Sequence, residues 1–446
     1  MSHITIVGLG PGEWKQLTLE AVAALNSHDE IWLSTRHHPL IAAMPAHLSV
    51  QSFDSLHEAF EDSLVLVQRI ATEVLRLGKR EQGVLYGVPG HPWVGERSVR
   101  AIVARAREEH LPIRFIEGIS LIGPVLSAVE HDALAGLQVA EAILLAGRYY
   151  PPVDADRPLL VAQLHSRMVA AEVKSVLLEL YSDDHPVTLL HASGTTQART
   201  LILPLYDLDQ HSDFSEMTAL WVPPLPYATS LPHFQNIVAH LRAPEGCPWD
   251  REQDHISLRP FDLEEAYEVA EAIDRGVPGD LRDELGDQLL MILMHAQIAH
   301  EAGDFNMGDV ITRISEKMVR RHPHVFASTE VADADEVLRN WEAIKAEEKT
   351  EKGEPPEQGP FDDIPLAMPA LLRAGKVARK VVKQGGEIPQ PTASFAAWLD
   401  APSQETLGDL LLALATHAAR QKQDPEDLLR RATTRLIAQQ TKSAPD

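Results

Sequence analysis

The hydrophobic pattern of this chain changes character once, at the proline-rich segment WVPPLPYATSLP (residues 221–232). Before this segment, short β-branched runs alternate with helical stretches, which predicts an α/β domain over residues 1–222. After it, apolar residues recur at helical spacing only. The runs that we expect to form strands are HITIVG, EIWLS, GVLYGV, IRFIEG, AILLAG, PLLVAQL, PVTLLHASG, ARTLILPL and MTALWVPP.

Residues 223–350 are predicted to form an all-α domain. Its clearest apolar stripes belong to two helices, which we expect to pack antiparallel through them: Leu263, Tyr267, Ala270 and Ile273 in the first, then Leu281, Leu285, Leu289, Ile292, Ala296 and Ala299. The charged segment EEKTEKGEPPEQGP predicts a solvated linker, assigned to residues 351–365. Residues 366–446 are again helical in pattern.

The last segment resembles the middle one, as expected for an internal repeat. LGDQLLMILMHA (285–296) is similar to LGDLLLALATHA (407–418), and GDVITRISEKMVRR (308–321) to EDLLRRATTRLIAQ (426–439). In the second copy Thr406 replaces Glu284, and no cluster like Glu264 to Glu268 is found. We therefore interpret residues 366–446 as a degenerate copy that cannot hold the same metal.

Charge and cysteine content narrow the class of protein. The formal charge is -25, from 65 acidic and 40 basic residues, which argues against nucleic-acid or anionic-membrane binding. The single cysteine, Cys247, excludes intramolecular disulfides and cysteine-based zinc sites. No signal peptide and no run of about 18 apolar residues are found, so a cytoplasmic protein is predicted.

Four carboxylates predict a metal site. Glu265 and Glu268 are spaced i, i+3 on one helix face, opposite the apolar stripe, and Glu284 and Asp287 repeat this spacing. At the edge of the helix pair they would repel one another unless a cation were bound. Oxygen ligands favour Mg²⁺, with Mn²⁺ as the alternative. Solvated surface glutamates are the commoner interpretation of such spacing alone.

Residues further along the chain favour the metal interpretation. Lys317 and Arg321 lie at i, i+4 on a helix that Pro323 should end, and Trp341 and Lys345 lie at i, i+4 on the next. Cations suit phosphate oxygens, and an indole can stack on a base. This combination is typical of a nucleoside triphosphate site.

The runs GCPWDREQDHISLRPFDLEEAYEV, DELGDQLL, KMVRRHPHVF and NWEAIKAEEK resemble the MazG family of nucleoside triphosphate pyrophosphohydrolases. The resemblance covers about 110 residues; Asp254, where relatives usually have threonine, departs from it. It implies a homodimeric four-helix bundle that hydrolyses nucleoside triphosphates to monophosphate and pyrophosphate. Glu265, Glu268, Glu284 and Asp287 would ligate magnesium, and Lys317, Arg321, Trp341 and Lys345 would contact the nucleotide. A carboxylate, Glu264 or Glu271, would be the general base unless both are merely solvated.

The N-terminal region has its own motifs. GLGPG (8–12), YGVPGHP (86–92), EGISL (117–121) and HASGTTQARTLILPL (191–205) resemble the tetrapyrrole (corrin/porphyrin) methylase family. That resemblance implies two α/β subdomains with S-adenosylmethionine in the cleft between them. The candidate cofactor-binding residues, all in or next to glycine-rich turns, are Gly8, Gly10, Pro11, Gly12, Pro89 and Gly90.

Two departures leave methyl transfer open. Val88 lies between Gly87 and Pro89 where methylating relatives usually have aspartate, and Glu117 and Gly118 replace a proline-glycine pair. GVPGHP is the form associated with methylase-like domains fused to MazG modules, which this whole chain resembles. The alternatives to a pyrophosphohydrolase are thus a methyltransferase acting on a tetrapyrrole or another small substrate, or a non-catalytic N-terminal domain that serves assembly.

Overall fold

The structure, a computed structural model, describes residues 2–59, 63–351, 359 and 361–442. The chain divides into two compact units, Met1–Gly303 and Asp304–Asp446. The domain limits predicted at residues 222, 350 and 365 do not coincide with this division and stay predictions. In the described residues, no helix is both long and apolar enough to cross a bilayer.

The first unit begins with an alternation of strands and helices and ends with helices. Its strands are β1 (Ile4–Gly8), β2 (Glu30–Leu33), β3 (Ser49–Ser52), β4 (Val84–Val88), β5 (Ile113–Ile116), β6 (Gln138–Glu141), β7 (Leu159–Ala162), β8 (Pro186–His191), β9 (Arg199–Pro204) and β10 (Thr218–Val222). Its α-helices are α1 (Leu19–Ser27), α2 (Asp54–Ala59), α3 (Ser63–Gly78), α4 (Arg97–Glu108), α5 (Ile122–Val129), α6 (Ala142–Ala146), α7 (Arg167–Leu177), α8 (Leu231–Arg242), α9 (Pro248–Glu252), α10 (His255–Arg275) and α11 (Pro278–Ala302).

The first sheet has the order β3-β2-β4-β1-β5, and all its neighbouring strands are parallel. Helices α3 and α4 bury one face and α1 the other, as expected when crossover helices cover a parallel sheet. The α/β prediction is confirmed. The edge strand β3, SVQS, was not predicted, because its sequence has a single large apolar residue, Val50.

The second sheet has the order β6-β7-β10-β8-β9 and is mixed, with only β6 and β7 parallel. The expectation that AILLAG forms a strand is wrong. Ala142–Ala146 is the helix α6, which buries Ala142 and Leu145, and the preceding residues Gln138–Glu141 pair with β7. A short apolar run has no periodicity that separates a buried helix from a strand.

Hydrogen bonds to Asp156 attach the proline-rich segment to the subdomain that contains the second sheet. Asp156 accepts hydrogen bonds from the backbone and side chains of Thr229 and Ser230, at 2.6–3.1 Å. Burial works to raise the pKa of Asp156, but these hydrogen bonds outweigh it and lower the pKa to about 2. Ser230 in turn caps α8 through the His233 amide. The segment therefore leads directly into α8.

Helices α10 and α11 pack closely against each other, but the part of the predicted apolar stripe on α10 is mostly exposed. On α10 the less exposed positions include Leu258, Asp262 and Glu265, whereas Leu263 and Tyr267 are each 51% exposed. The expectation that the two helices pack through this stripe is therefore wrong for α10. Glu265 belongs to the less exposed face of α10, and half the predicted stripe is left at the surface.

In the described residues of the second unit, all regular secondary structure is helical, as predicted. Its helices are α12 (Met307–Arg321), α13 (Pro323–Phe326), α14 (Ala334–Glu351), α15 (Ala370–Lys383), α16 (Pro391–Asp400), α17 (Gln404–Arg420) and α18 (Pro425–Lys442). In the predicted linker, residues 352–358 and 360 lie outside the described part of the chain. The repeat is visible in burial, because Met291, Leu293, Met294 and Ala296 of α11 match buried positions of α17 at a constant offset: Ala413, Ala415, Thr416 and Ala418.

Candidate functional site

Three of the four predicted metal ligands converge. Glu265 and Glu268 lie one turn apart on α10, and Glu284 faces them from the second turn of α11. One carboxylate oxygen from each lies within 4.8 Å of the others. The hairpin connection at Gly276 and Val277 is short, so these turns are held side by side. The geometry therefore provides three oxygen ligands at one point.

Asp287, the fourth predicted ligand, lies outside that group but close enough to affect it. Burial, then the charges of Asp287 and Glu268, raise the pKa of Glu265 above its ordinary value. Burial, Glu268 and Asp287 likewise raise the pKa of Glu284. Negative charge is therefore crowded at this site beyond what the protein itself neutralises.

One atom tests whether a cation fits here. Glu265 Oε2 is buried and has no hydrogen-bond partner among the described residues. A buried acceptor without a partner costs about 1–3 kcal/mol. A bound cation would satisfy it, and the all-oxygen donor set suits magnesium or manganese better than zinc. The residues present fit such an ion.

Hydrogen bonds between the helices fix the hairpin beside the carboxylates. His295 of α11 contacts Asp262 Oδ2 through Nε2 at 2.8 Å and His255 Nδ1 through Nδ1 at 2.7 Å. Asp254, the departure from the family pattern, caps α10 by accepting from the Ile256 and Ser257 amides. The two contacts of His295 were not predicted from the sequence, because they join positions 33 and 40 residues apart.

The two candidate general bases are on α10 and exposed. Glu264 contributes to the raised pKa of Glu265, so its charge is near the cluster. Glu271 lies one turn beyond Glu268. Arg275, which the sequence did not single out, places its guanidinium 3.8 Å from Glu284 Oε1 and 3.3 Å from Asp280 Oδ2.

The predicted nucleotide-contacting residues belong to the second unit. Lys317 and Arg321 lie on α12, which ends at Arg321 as the Pro323 signal predicted. Trp341 and Lys345 lie on α14. The structure brings two of them together, because the Arg321 guanidinium lies 5.2 Å from the centre of the Trp341 ring. Lys317 and Lys345 have no ion pair among the described residues.

Arg321 also has a partner that the sequence did not reveal. Its Nη2 lies 2.5 Å from Glu348 Oε2, and Arg320 Nε lies 3.1 Å from Glu348 Oε1. Arg321 and Glu348 are both buried, at 8% and 5% exposure. A buried arginine bound this closely has a structural role in the unit, whatever it contacts in addition.

The N-terminal glycine turns pack backbone against backbone. Gly10 and Gly90 donate their amides to each other's carbonyl oxygens, at 3.1 and 2.9 Å. A Cβ at Gly8 would lie 2.6 Å from both Gly118 N and Gly90 O, so three chain segments meet there. Gly12 lies against Pro39. The Gly10 and Gly90 amides are thus hydrogen-bonded within the protein, which the glycine pattern did not indicate.

A cavity of about 580 Å³ opens beside these turns, lined by residues from both sheets' subdomains. Gly10, Pro11, Pro89 and Gly90 line it, while Gly8 and Gly12 are not among its lining residues. Glu96 also lines it, and burial raises its pKa to about 7 although Ser98 donates a hydrogen bond at 3.3 Å. A cleft between two α/β subdomains is where the family resemblance placed its cofactor.

Comparison with known proteins identifies both parts. Residues 3–209 match the family of tetrapyrrole (corrin/porphyrin) methylases, and residues 253–326 match the MazG nucleotide pyrophosphohydrolase domain. The uncharacterized protein YabN of Bacillus subtilis is 36% identical over 381 residues, covering 84% of this chain and 76% of that protein.

Two further comparisons each cover a smaller part of the chain. The nucleoside triphosphate pyrophosphohydrolase/pyrophosphatase MazG of Thermotoga maritima is 36% identical over 213 residues, covering 45% of this chain and 80% of that protein. The solved structure of the methyltransferase CobJ is 19% identical, covering 52% of this chain and 98% of that chain, with a TM-score of 0.37.

Proposed function

Because the chain belongs to the family in which a tetrapyrrole methylase-like domain is fused to a MazG nucleotide pyrophosphohydrolase domain, we propose that it hydrolyses nucleoside triphosphates to monophosphate and pyrophosphate. The observation that carries this proposal is the convergence of Glu265, Glu268 and Glu284 around a buried carboxylate oxygen that has no partner in the described residues.

Glu265, Glu268 and Glu284 would hold magnesium, or manganese, with Asp287 as the fourth ligand. When bound, the ion supplies positive charge against the triphosphate and makes water more acidic. The protein's part is to present these carboxylates at one point and to orient the triphosphate. Lys317 and Lys345 would bind phosphate oxygens, and Trp341 with Arg321 would contact the nucleotide.

The attacking water must lose a proton as the phosphoanhydride bond between the released pyrophosphate and the monophosphate breaks. Glu264 and Glu271 are exposed carboxylates on the helix that holds two of the metal ligands, so either can accept this proton and pass it to solvent. Separate Glu264→Gln and Glu271→Gln variants identify the base: its removal should lower the plateau rate and abolish the rise in rate with pH on the acidic side of the profile, where the carboxylate ionises.

Pyrophosphate release from a panel of NTPs and dNTPs with magnesium tests the function. We expect release with at least one nucleotide, and its loss in Glu284→Gln, because the amide is neutral and a poor magnesium ligand. Absence of release with every nucleotide, or an unchanged rate in Glu284→Gln, contradicts the proposal. Asp283→Asn is the matched control, since Asp283 precedes Glu284 on α11 but pairs with Arg282.

We also propose that the active form is a homodimer. The exposed apolar side chains of the α10–α11 pair, Leu263, Tyr267, Ile273, Leu285 and Ile292, are between 42% and 59% exposed. A second copy packed on these faces would complete a four-helix arrangement and remove this surface from water. Sedimentation of the wild type against a Tyr267→Arg variant measures this: a dimer that the substitution dissociates supports it, and a wild-type monomer at all concentrations contradicts it.

The N-terminal domain has a second candidate function, binding S-adenosylmethionine in the cleft. The cavity of about 580 Å³ beside Gly10, Pro11, Pro89 and Gly90 is large enough for a small cofactor and favours this candidate. Titration calorimetry with S-adenosylmethionine tests it, and absence of heat at millimolar ligand excludes it. With Val88 in place of the usual aspartate, binding without methyl transfer would leave the domain an assembly or sensing role.

A further inference from the structure

Arg275 is the basic residue at the carboxylate cluster. Its Nη2 atom lies 3.8 Å from Glu284 Oε1. Among the described residues, no other basic side chain forms an ion pair with one of the four predicted ligands. The Nε atom of Arg275 lies 3.3 Å from Asp280 Oδ2, in the first turn of α11. Arg275 therefore provides positive charge beside the cluster.

The position of Arg275 follows from the hairpin. It is the last residue of α10, Gly276 then adopts a left-handed conformation that ends the helix, and α11 begins at Pro278. The turn thus places the arginine beside the first two turns of α11. Because α10 and α11 form one packed pair, this proximity needs no other part of the molecule.

The contact between Arg275 and Glu284 is weak enough to be replaced by another cation. Arg275 is 46% exposed, and 3.8 Å is longer than a direct hydrogen bond. Such an exposed pair contributes little to stability. By contrast, its positive charge lies 3.8 Å from a carboxylate oxygen of the cluster in which Glu265, Glu268 and Glu284 converge. The arginine therefore acts on the charge of the site rather than on the fold.

We propose that Arg275 occupies the place of the cation in the metal-free protein and, once the metal is bound, turns to the triphosphate and binds its phosphate oxygens. The first step rests on the carboxylate cluster alone; the second rests on the proposed function. A divalent ion among Glu265, Glu268 and Glu284 repels the guanidinium from Glu284. A planar guanidinium on a long, mobile side chain suits phosphate, which it can bind through two hydrogen bonds.

This proposal predicts opposite effects on the two ligands. Removing the charge of Arg275 removes a competitor for Glu284, so the metal should bind more tightly. The same change removes a phosphate contact, so the triphosphate should bind more weakly. A residue that only stabilises the hairpin would weaken both, because distortion of the cluster harms metal and nucleotide alike.

The experiment compares wild type, Arg275→Gln and Arg282→Gln as full chains. Arg282 is the matched control, because it lies on the same hairpin but is 79% exposed and pairs with Asp283. Mn²⁺ affinity is measured by electron paramagnetic resonance without nucleotide, and α,β-methylene-ATP affinity by calorimetry at saturating Mg²⁺. We expect Arg275→Gln to bind Mn²⁺ about 3- to 10-fold more tightly and the analogue about 10-fold or more weakly, with Arg282→Gln unchanged in both.

Each arm has an outcome that overturns its step. Unchanged or weaker Mn²⁺ binding in Arg275→Gln, or no Mn²⁺ binding by wild type, overturns the replacement of Arg275 by metal. Unchanged analogue affinity, or none in wild type, overturns the phosphate contact. If the nucleotide panel shows no hydrolysis while the Mn²⁺ arm behaves as expected, the proposed function fails but the metal-free role of Arg275 stands.

Discussion

Replacing Glu265 by glutamine is expected to reduce magnesium-dependent pyrophosphate release by at least about 100-fold, since even residues that only support a metal ligand contribute 10- to 100-fold. The same substitution should raise the melting temperature of the metal-free protein by about 2–4 °C. The reason is that Glu265 Oε2 is buried without a partner and crowded by Glu268 and Glu284, whereas a glutamine amide can donate to those carboxylates. Pyrophosphate assay and thermal unfolding in chelator measure the two effects.

The matched control for this pair of measurements is Asp283→Asn, which removes a carboxylate from α11 that is 66% exposed and paired with Arg282. It should change neither activity nor the metal-free melting temperature. A Glu265→Gln protein that melts below the wild type in chelator contradicts the idea that this carboxylate is strained until a cation binds. One that keeps its activity contradicts the metal assignment.

The difference in stability between Glu265→Gln and the wild type, measured in chelator, should depend on pH. The pKa values of Glu265 and Glu284 are raised above 4.5 in the folded protein, so it holds these protons more tightly than the unfolded chain does. Ionisation of the cluster therefore destabilises the folded protein. This destabilisation is absent at low pH, grows as the pH rises from 4.5 through the raised pKa values, and is complete above them. The advantage of Glu265→Gln in chelator should shrink as the pH falls toward 4.5.

The metal ligands were predictable from spacing because each pair lies on one helix, and i, i+3 positions share a helical face regardless of what surrounds it. Which face packs inward was not predictable. Leu263 and Tyr267 form an apolar stripe that is left half exposed in a single chain, while Glu265 lies on the less exposed face. Periodicity finds stripes but does not say whether a neighbour in the same chain covers them.

Residues that act across a turn or between helices left no pattern in the sequence. Arg275 reaches Glu284 only because the hairpin is short, and Glu348 reaches Arg321 from the last turn of the next long helix. The motif NWEAIKAEEK contains Glu348, but its role depends on helix packing. In the N-terminal domain the glycine turns were found, whereas Glu96, with its raised pKa of about 7, was not, since burial rather than spacing defines it.

Replacing Glu348 by alanine is expected to destabilise the unit Asp304–Asp446 by about 3–5 kcal/mol, because it leaves a buried guanidinium without its counter-ion. Arg321 is 8% exposed and could regain water only by separating α12 from α14. Hydrogen exchange of the amides in α12 and α14 measures the loss within this unit without relying on one melting transition for the whole chain. The control is Glu342→Ala on the same helix, an exposed glutamate paired with Lys383, expected to cost about 0–1 kcal/mol.

The same ion pair separates a structural role of Arg321 from the predicted nucleotide contact. In the double variant Arg321→Met with Glu348→Leu, both buried charges are replaced by apolar side chains, so most of the protection lost in Glu348→Ala should return. If Arg321 also contacts the nucleotide, the restored protein should keep its metal affinity but bind α,β-methylene-ATP about 10-fold or more weakly, a loss typical of a charge-assisted contact. Wild-type affinity in the stable double variant would leave Arg321 a purely structural residue, and the phosphate contacts would then rest on Lys317, Lys345 and Arg275.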